Sequence, residues 1–185
     1  LGLTEQRIVS KIIVDPSNSN IIYAATMGLP FERNNQRGLY KSTNGGASWQ
    51  QVLFVSDQAG IIDMVMSPAD PQVLYATSWD RIRSNKESVT YGSGTRVWKT
   101  ADGGANWTRH IVGTTAPHPV DRVRARDLNG DGRVDIAIAE ERSPGREPDG
   151  NLFWFEQPAD PTMDNWPRHR LLTTWSPNNL DAADV

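Results

Sequence analysis

Apolar residues in this 185-residue chain come in short runs broken by Gly, Pro, Asn and Ser. Ile8 to Val14, Ile21 to Thr26, Gly38 to Ser42 and Trp49 to Phe54 are rich in β-branched and aromatic side chains. Each is shorter than the roughly 10 residues of an ordinary helix, so the pattern predicts short strands joined by tight turns. Four such strands fill the first 54 residues, and the expected fold class is all-β.

The pattern then repeats. Asp15-Pro16 followed by Ile21-Ile22-Tyr23-Ala24-Ala25-Thr26 returns as Ser67-Pro68 followed by Val73-Leu74-Tyr75-Ala76-Thr77, with Tyr75 lying 52 positions after Tyr23. Gly38-Leu39-Tyr40-Lys41-Ser42 to Trp49 returns as Arg96-Val97-Trp98-Lys99-Thr100 to Trp107 at an offset of 58, so a loop, Trp79 to Thr95, carries six extra residues. In the second half Trp107-Thr108-Arg109-His110 recurs as Trp166-Pro167-Arg168-His169 at an offset of 59, and Val123 to Leu128 is echoed by Leu180 to Val185 at 57. Units of about 40 to 60 residues with four strands each are the rhythm of propeller blades. An ordinary β-sandwich also has short strands, but it has no reason to repeat a Trp-terminated turn.

Those turns, Ser42 to Trp49 and Thr100 to Trp107, fit Ser/Thr-x-Asp/Asn-x-Gly-x-x-Trp. The Asn44 or Asp102 side chain accepts backbone N–H groups, glycines take positive φ, and the Trp packs between strands. The motif resembles the Asp-box, or BNR repeat, and with the upstream Tyr-Ala segments residues 1–107 resemble bacterial sortilin-like β-propellers. The resemblance implies a structural turn at a blade edge.

A second signal is Asp127-Leu128-Asn129-Gly130-Asp131-Gly132-Arg133-Val134-Asp135, with side-chain oxygens at positions 1, 3, 5 and 9. Alternate residues of a tight loop point inward, and a hard cation takes six to eight oxygen ligands. Asp127, Asn129, Asp131 and Asp135, with the Arg133 carbonyl and water, are therefore the expected Ca2+ ligands. The loop opens like an EF-hand but lacks its Glu at position 12, since a strand, Ile136 to Ala139, follows directly. Together with Gly150 to Glu156 and the Trp-x-Arg-His strands, the loop makes residues 107–185 resemble the FG-GAP/VCBS repeats of extracellular propellers. The expected organisation is two Asp-box blades in 1–107, then an FG-GAP/VCBS-like blade and the start of another in 108–185, about three and a third blades in all. Closed propellers use about four to eight. The chain is then a fragment, a fusion of two propeller types, or a protomer that associates with its own copies through open blade edges.

Composition narrows the function. Net charge is −3, with 19 basic residues among 22 acidic ones, so no cationic face for nucleic acid or anionic lipid is expected. No apolar run approaches the roughly 20 residues of a membrane-crossing helix. With no Cys and three scattered His, thiolate and zinc-helix sites are excluded and any metal must be held by oxygen. No basic segment followed by an apolar one opens the sequence, so a secretory signal is absent or already removed. Millimolar extracellular calcium would fill a weak site, which points to a secreted, periplasmic or cell-surface protein.

A glycosidase needs two carboxylates across a cleft. Asp63 and Asp80, with Arg81, Arg83 and Glu87, are the candidates, and the reading favoured is solvated loop charge. Phe31-Glu32-Arg33 does not match a sialidase signature, and Thr26-Met27-Gly28 lacks the Asp expected of a xyloglucanase relative. No catalytic residue is assigned. The expectation is a non-catalytic binding or scaffolding module for protein or glycan partners. Its recognition surface would be the inserts Trp79 to Thr95 and Glu140 to Gly150, where Trp79, Tyr91 and, elsewhere, Trp175 could stack on sugars or apolar groups. The alternative is an Asp-box glycoside hydrolase.

Overall fold

The computed structural model describes residues 2–89, 92–113, 120–140, 150–160 and 162–174. Among them are strands and no helix, and hence no helix long and apolar enough to cross a membrane. The chain divides into two compact units, Leu1–Arg109 and His110–Val185.

The first sheet is an antiparallel meander of β1 (Val9–Val14), β2 (Ile22–Thr26), β3 (Gly38–Ser42) and β4 (Gln50–Leu53). The second is built from β5 (Ala59–Met66) and β6 (Leu74–Asp80), then, after a small hairpin of β7 (Ile82–Arg83) and β8 (Ser88–Val89), from β9 (Arg96–Thr100) and β10 (Thr108–His110). The sequence offsets reappear as register: the row Ile12↔Ala24↔Tyr40 in sheet 1 is matched by Met64↔Ala76↔Trp98 in sheet 2. Each strand of sheet 1 lies within one residue of its expected limits, because the turn residues fix where pairing stops.

Side chains alternate across a pleated strand, so each sheet presents two faces. Tyr23, Ala25, Leu39 and Leu53 of sheet 1 form one core with Ile61, Met64, Leu74 and Ala76 of sheet 2. Polar links fix how the sheets meet. Ser10 Oγ donates to the Ile61 carbonyl at 2.6 Å, Lys11 Nζ pairs with Asp63 at 2.8 Å, and the Tyr23 hydroxyl and Lys41 Nζ donate to the Gly103 carbonyl at 2.9 and 2.7 Å. Burial pushes the Tyr23 phenol up to about 12, with smaller contributions from the charges of Asp15 and Asp102.

The second unit holds one four-stranded meander, β11 (Val120–Arg126), β12 (Asp135–Glu140), β13 (Gly150–Phe155) and β14 (Arg168–Thr174). The rows Val123↔Ile138↔Phe153 and Ala125↔Ile136↔Phe155 form its buried face. On the other face Ala137 and Ala139 pack with Leu152 and Trp154, and the Trp154 ring stacks on His169 at 4.4 Å between centroids. The start of a further blade expected at Leu180 to Val185 lies outside the described residues.

Candidate metal-binding loop and connecting loops

The loop 127–134 joins β11 to β12, between the two strands expected to flank it. Its first carboxylate organises it: Asp127 Oδ1 accepts the Gly130 and Asp131 N–H groups at 2.8 and 3.2 Å, and Oδ2 accepts Gly132 N–H at 2.8 Å. Gly132 takes φ 82°, a left-handed conformation that lets the chain turn back on Asp127. Asn129 Oδ1 accepts Asp131 N–H at 3.1 Å and Asp131 Oδ1 accepts Arg133 N–H at 2.8 Å. Asp135, fully buried at the start of β12, accepts Leu128 N–H at 3.0 Å and Gln157 N–H at 2.9 Å.

The carboxylates differ electrostatically. Burial alone would raise Asp127, but the N–H groups of Gly132, Gly130, Asp131 and Asn129 outweigh it and hold the carboxyl below its ordinary range. Burial raises Asp135, and the charges of Asp131 and Asp127 add to the rise against the opposing N–H bonds. Asp127 and Asp131 therefore stand close enough to Asp135 to oppose its ionisation.

Neighbouring residues complete the picture. Arg133 donates through Nε to the Gln157 carbonyl at 2.8 Å and its Nη2 pairs with Asp131 Oδ2. Asn129 Nδ2 lies 3.0 Å from Asp131 Oδ2 and 3.3 Å from Glu156 Oε1, and Glu156 Oε2 meets His169 Nε2 at 2.9 Å. Glu156 and Gln157, from the β13–β14 connection, were not read as part of the site from the sequence; they follow the Gly150 to Phe155 run by one and two residues and reach the loop only through strand pairing. In this side-chain arrangement no three acidic or imidazole groups among the described residues stand at metal-ligand spacing, and Asp131 turns one oxygen to Arg133.

In the two Trp-terminated turns of the first unit the Asn44 and Asp102 side chains are engaged within their own turns, while Trp107 Nε1 is buried without a hydrogen-bond partner. Ser42 Oγ accepts Asn44 and Gly46 N–H at 3.3 and 2.8 Å, and Thr100 Oγ1 accepts Asp102 and Gly104 N–H at 3.3 and 3.0 Å. Asn44 Oδ1 accepts Ser48 N–H and Asp102 Oδ1 accepts Asn106 N–H, each at 2.9 Å. The Asn106 N–H, the Thr100 hydroxyl and the Asn106 amide together hold Asp102 down to about 2.

Two expectations for the loops need correction. Asp63 and Asp80 are not solvated loop charges: they are 3% and 2% exposed. Asp63 lies on β5 paired with Lys11, and Asp80 ends β6, taking Gln58 Nε2 at 3.0 Å and Gly94 N–H at 2.6 Å. Trp79 is likewise a buried β6 residue, 4% exposed, with the Arg81 guanidinium over its ring. The reason is register: β5 starts early, and Ala59 and Gly60 pair with Asp80 and Trp79, carrying β6 past the expected strand end. What remains of the insert is also tied down, with Ile82 buried, Arg83 N–H donating to the Pro30 carbonyl at 2.8 Å, and Arg33 bridging Asp57 and Glu87 at 3.2 and 2.9 Å. Tyr91, Trp175 and residues 141–149 of the other insert lie outside the described residues.

Residues 127–185 match the family model of the FG-GAP-like repeat, beginning at the first Asp of the loop. No curated protein sequence matches the chain. Among solved structures, a GH74 xyloglucanase from Xanthomonas campestris superposes with a TM-score of 0.55 at 15% identity, over 89% of this chain and 21% of that one. A GH74 enzyme from Niastella koreensis gives 0.48 at 21% identity over 86% and 20%, and YCF48 bound to D1 peptide gives 0.45 at 12% over 91% and 57%. This chain spans about a fifth of the length of the two GH74 enzymes. At 15% identity the likeness to the Xanthomonas campestris enzyme is one of fold: the chain is an all-β protein of propeller-type, four-stranded antiparallel sheets, with a match to the FG-GAP-like repeat model over residues 127–185.

Proposed function

We propose that this chain is a calcium-stabilised, non-catalytic propeller module that binds protein or glycan partners outside the cell through its connecting loops. The observation that carries the calcium reading is the crowding of Asp127, Asp131 and Asp135 within the nine residues from Asp127 to the start of β12, where Asp131 and Asp127 raise the cost of ionising Asp135. A divalent cation offsets that cost, and all the donors are hard oxygens suited to calcium. Asp127, Asn129, Asp131, Asp135 and the Arg133 carbonyl would hold it, with Asp131 swinging its outer oxygen away from Arg133. A weak loop site of this kind fills where calcium is millimolar, which supports a secreted, periplasmic or cell-surface address.

The non-catalytic part of the reading rests on Asp63 and Asp80. Both are buried and hydrogen-bonded within the first unit, unlike a carboxylate pair flanking an open cleft. The Asp-box reading of the two Trp turns agrees with this, since the Asn44 and Asp102 side chains are engaged within their own turns.

Calorimetric titration of calcium into chelator-treated protein tests the proposal. One site per chain is expected, with the heat removed in Asp131→Asn; a flat titration of the parent protein would overturn it. Glycan and peptide arrays probed in calcium then report the partner class, and release of reducing ends from xyloglucan or sialosides that disappears in Asp80→Asn would make the chain a hydrolase instead.

A further inference from the structure

Arg133 offers the proposed calcium site its carbonyl, while its side chain is turned onto one of the other ligands. Nη2 pairs with Asp131 Oδ2, and Nε donates to the Gln157 carbonyl at 2.8 Å. Gln157 is 5% exposed and its own N–H donates to Asp135 Oδ1 at 2.9 Å, so the second anchor is a fixed point on the β13–β14 connection. The guanidinium is therefore held at two points, and a full positive charge rests on the outer oxygen of Asp131. The pair is partly sheltered, with 37% of the Arg133 side chain and 23% of the Asp131 side chain exposed.

The carboxylate oxygens of the loop are not equally engaged. Those of Asp127 accept the N–H groups of Gly130, Asp131 and Gly132, and those of Asp135 accept the N–H groups of Leu128 and Gln157. Asp131 Oδ1 likewise accepts a backbone donor, the Arg133 N–H at 2.8 Å. A carboxylate oxygen has two lone-pair sites, so one backbone donor shapes the turn and leaves a site for a metal. Asp131 Oδ2 is instead taken by side chains, Asn129 Nδ2 at 3.0 Å and the Arg133 guanidinium. A guanidinium brings both a permanent charge and a rigid fork of donors. Arg133 thus supplies to the crowded acids some of the positive charge that a bound metal would supply, at an oxygen the metal would need.

We propose that the Arg133 guanidinium is the loop's own counter-cation, holding Asp131 when calcium is absent and releasing it when the site fills, so that Arg133 sets the calcium concentration at which filling occurs. The proposal rests on the calcium reading of the loop and adds what the site must give up. Filling breaks the Arg133–Asp131 pair, so the same oxygens without Arg133 should bind up to about fivefold tighter, the worth of a partly exposed ion pair. With Arg133 in place the site fills only where calcium is abundant.

Calorimetric titration of calcium into the whole chelator-treated chain tests this on the parent and on Arg133→Gln, with thermal unfolding of both in chelator and in saturating calcium. Arg133→Gln keeps the carbonyl and loses the charge. It is expected to bind calcium more tightly than the parent, to melt at a lower temperature in chelator, and to melt with the parent in saturating calcium, where Arg133 no longer holds Asp131. Arg133→Ala serves in its place if the first variant does not fold. Arg170→Gln removes an exposed charge from β14 of the same unit and is expected to keep the parent's affinity. Tightening by Arg170→Gln as strong as by Arg133→Gln would reduce the effect to net charge and overturn the proposal. A midpoint lowered equally in chelator and in calcium would make Arg133 a plain structural link and overturn it too. A parent that binds no calcium overturns the site itself and this inference with it, whereas a parent that binds calcium with Arg133→Gln no tighter overturns this inference alone.

Discussion

The connection between first and second strands is made in the first and third sheets, by the same kind of turn, with very different charge. In sheet 1 a single carboxylate suffices: Asp15 accepts the Ser17 N–H at 2.8 Å and its hydroxyl at 2.6 Å, and these bonds hold the acid below its ordinary range. In sheet 3 the connection has three carboxylates; Asp127 is held down as Asp15 is, while Asp135 is pushed up by burial and by its two acidic neighbours. A turn at this place in a blade can therefore be closed by one Asx acceptor, and the additional acids of the 127–135 loop are not required by the backbone. Their cost is offset only by something positive, which separates a loop that caps itself from one suited to a cation.

Four substitutions sharpen or break that comparison. The largest effect is expected from Met64→Ala, which empties a buried position between sheets 1 and 2 and should cost about 2 to 5 kcal/mol in denaturant unfolding of the first unit. If the units are distinct as the loops suggest, the calcium response should persist in this variant; its loss would mean that the loop depends on the first unit. Next comes the contrast between Asp127→Asn and Asp15→Asn. Calcium at a hundredfold excess over its dissociation constant should stabilise the parent by about 2.7 kcal/mol, measured as a rise in thermal midpoint. Asp127→Asn should abolish that rise and Asp15→Asn should leave it intact. Equal responses in the two variants would erase the distinction between the turns.

The smallest effect concerns pH. Asp102 is held at about 2 in the folded protein against 3.8 for a free side chain, so its contribution is present above 3.8 and is lost as pH falls toward about 2. Asp102→Asn supplies at that position the residue that sheet 1 already has in Asn44, and should flatten the acid side of the stability profile between those limits. An unchanged profile would show that the Asp102 charge contributes nothing beyond what an amide does.

Much of the first unit was legible because its signals are local. Turn residues such as Asn44-Gly45-Gly46 and Asp102-Gly103-Gly104 set strand ends, and the repeat offsets of 52 and 58 became the register of sheets 1 and 2. The loop at Asp127 was legible for the same reason, since all its side-chain oxygens lie within nine residues. The misreading of Trp79 and Asp80 has a definite cause: nothing in their own neighbourhood shows that Ala59 and Gly60, twenty residues earlier, extend the pairing of β6.

The sequence by itself thus determined the strand rhythm, the turn chemistry and the position of the acidic loop, all of which depend on residues a few places apart. Only the tertiary structure decided which charges are buried, that Glu156 and Gln157 stand against the loop, and which apolar faces are covered: Ile12 and Met64 occupy the same place in the repeat, yet one is exposed and the other is core. Burial is a property of what packs against a residue, and that neighbour is far away in the chain.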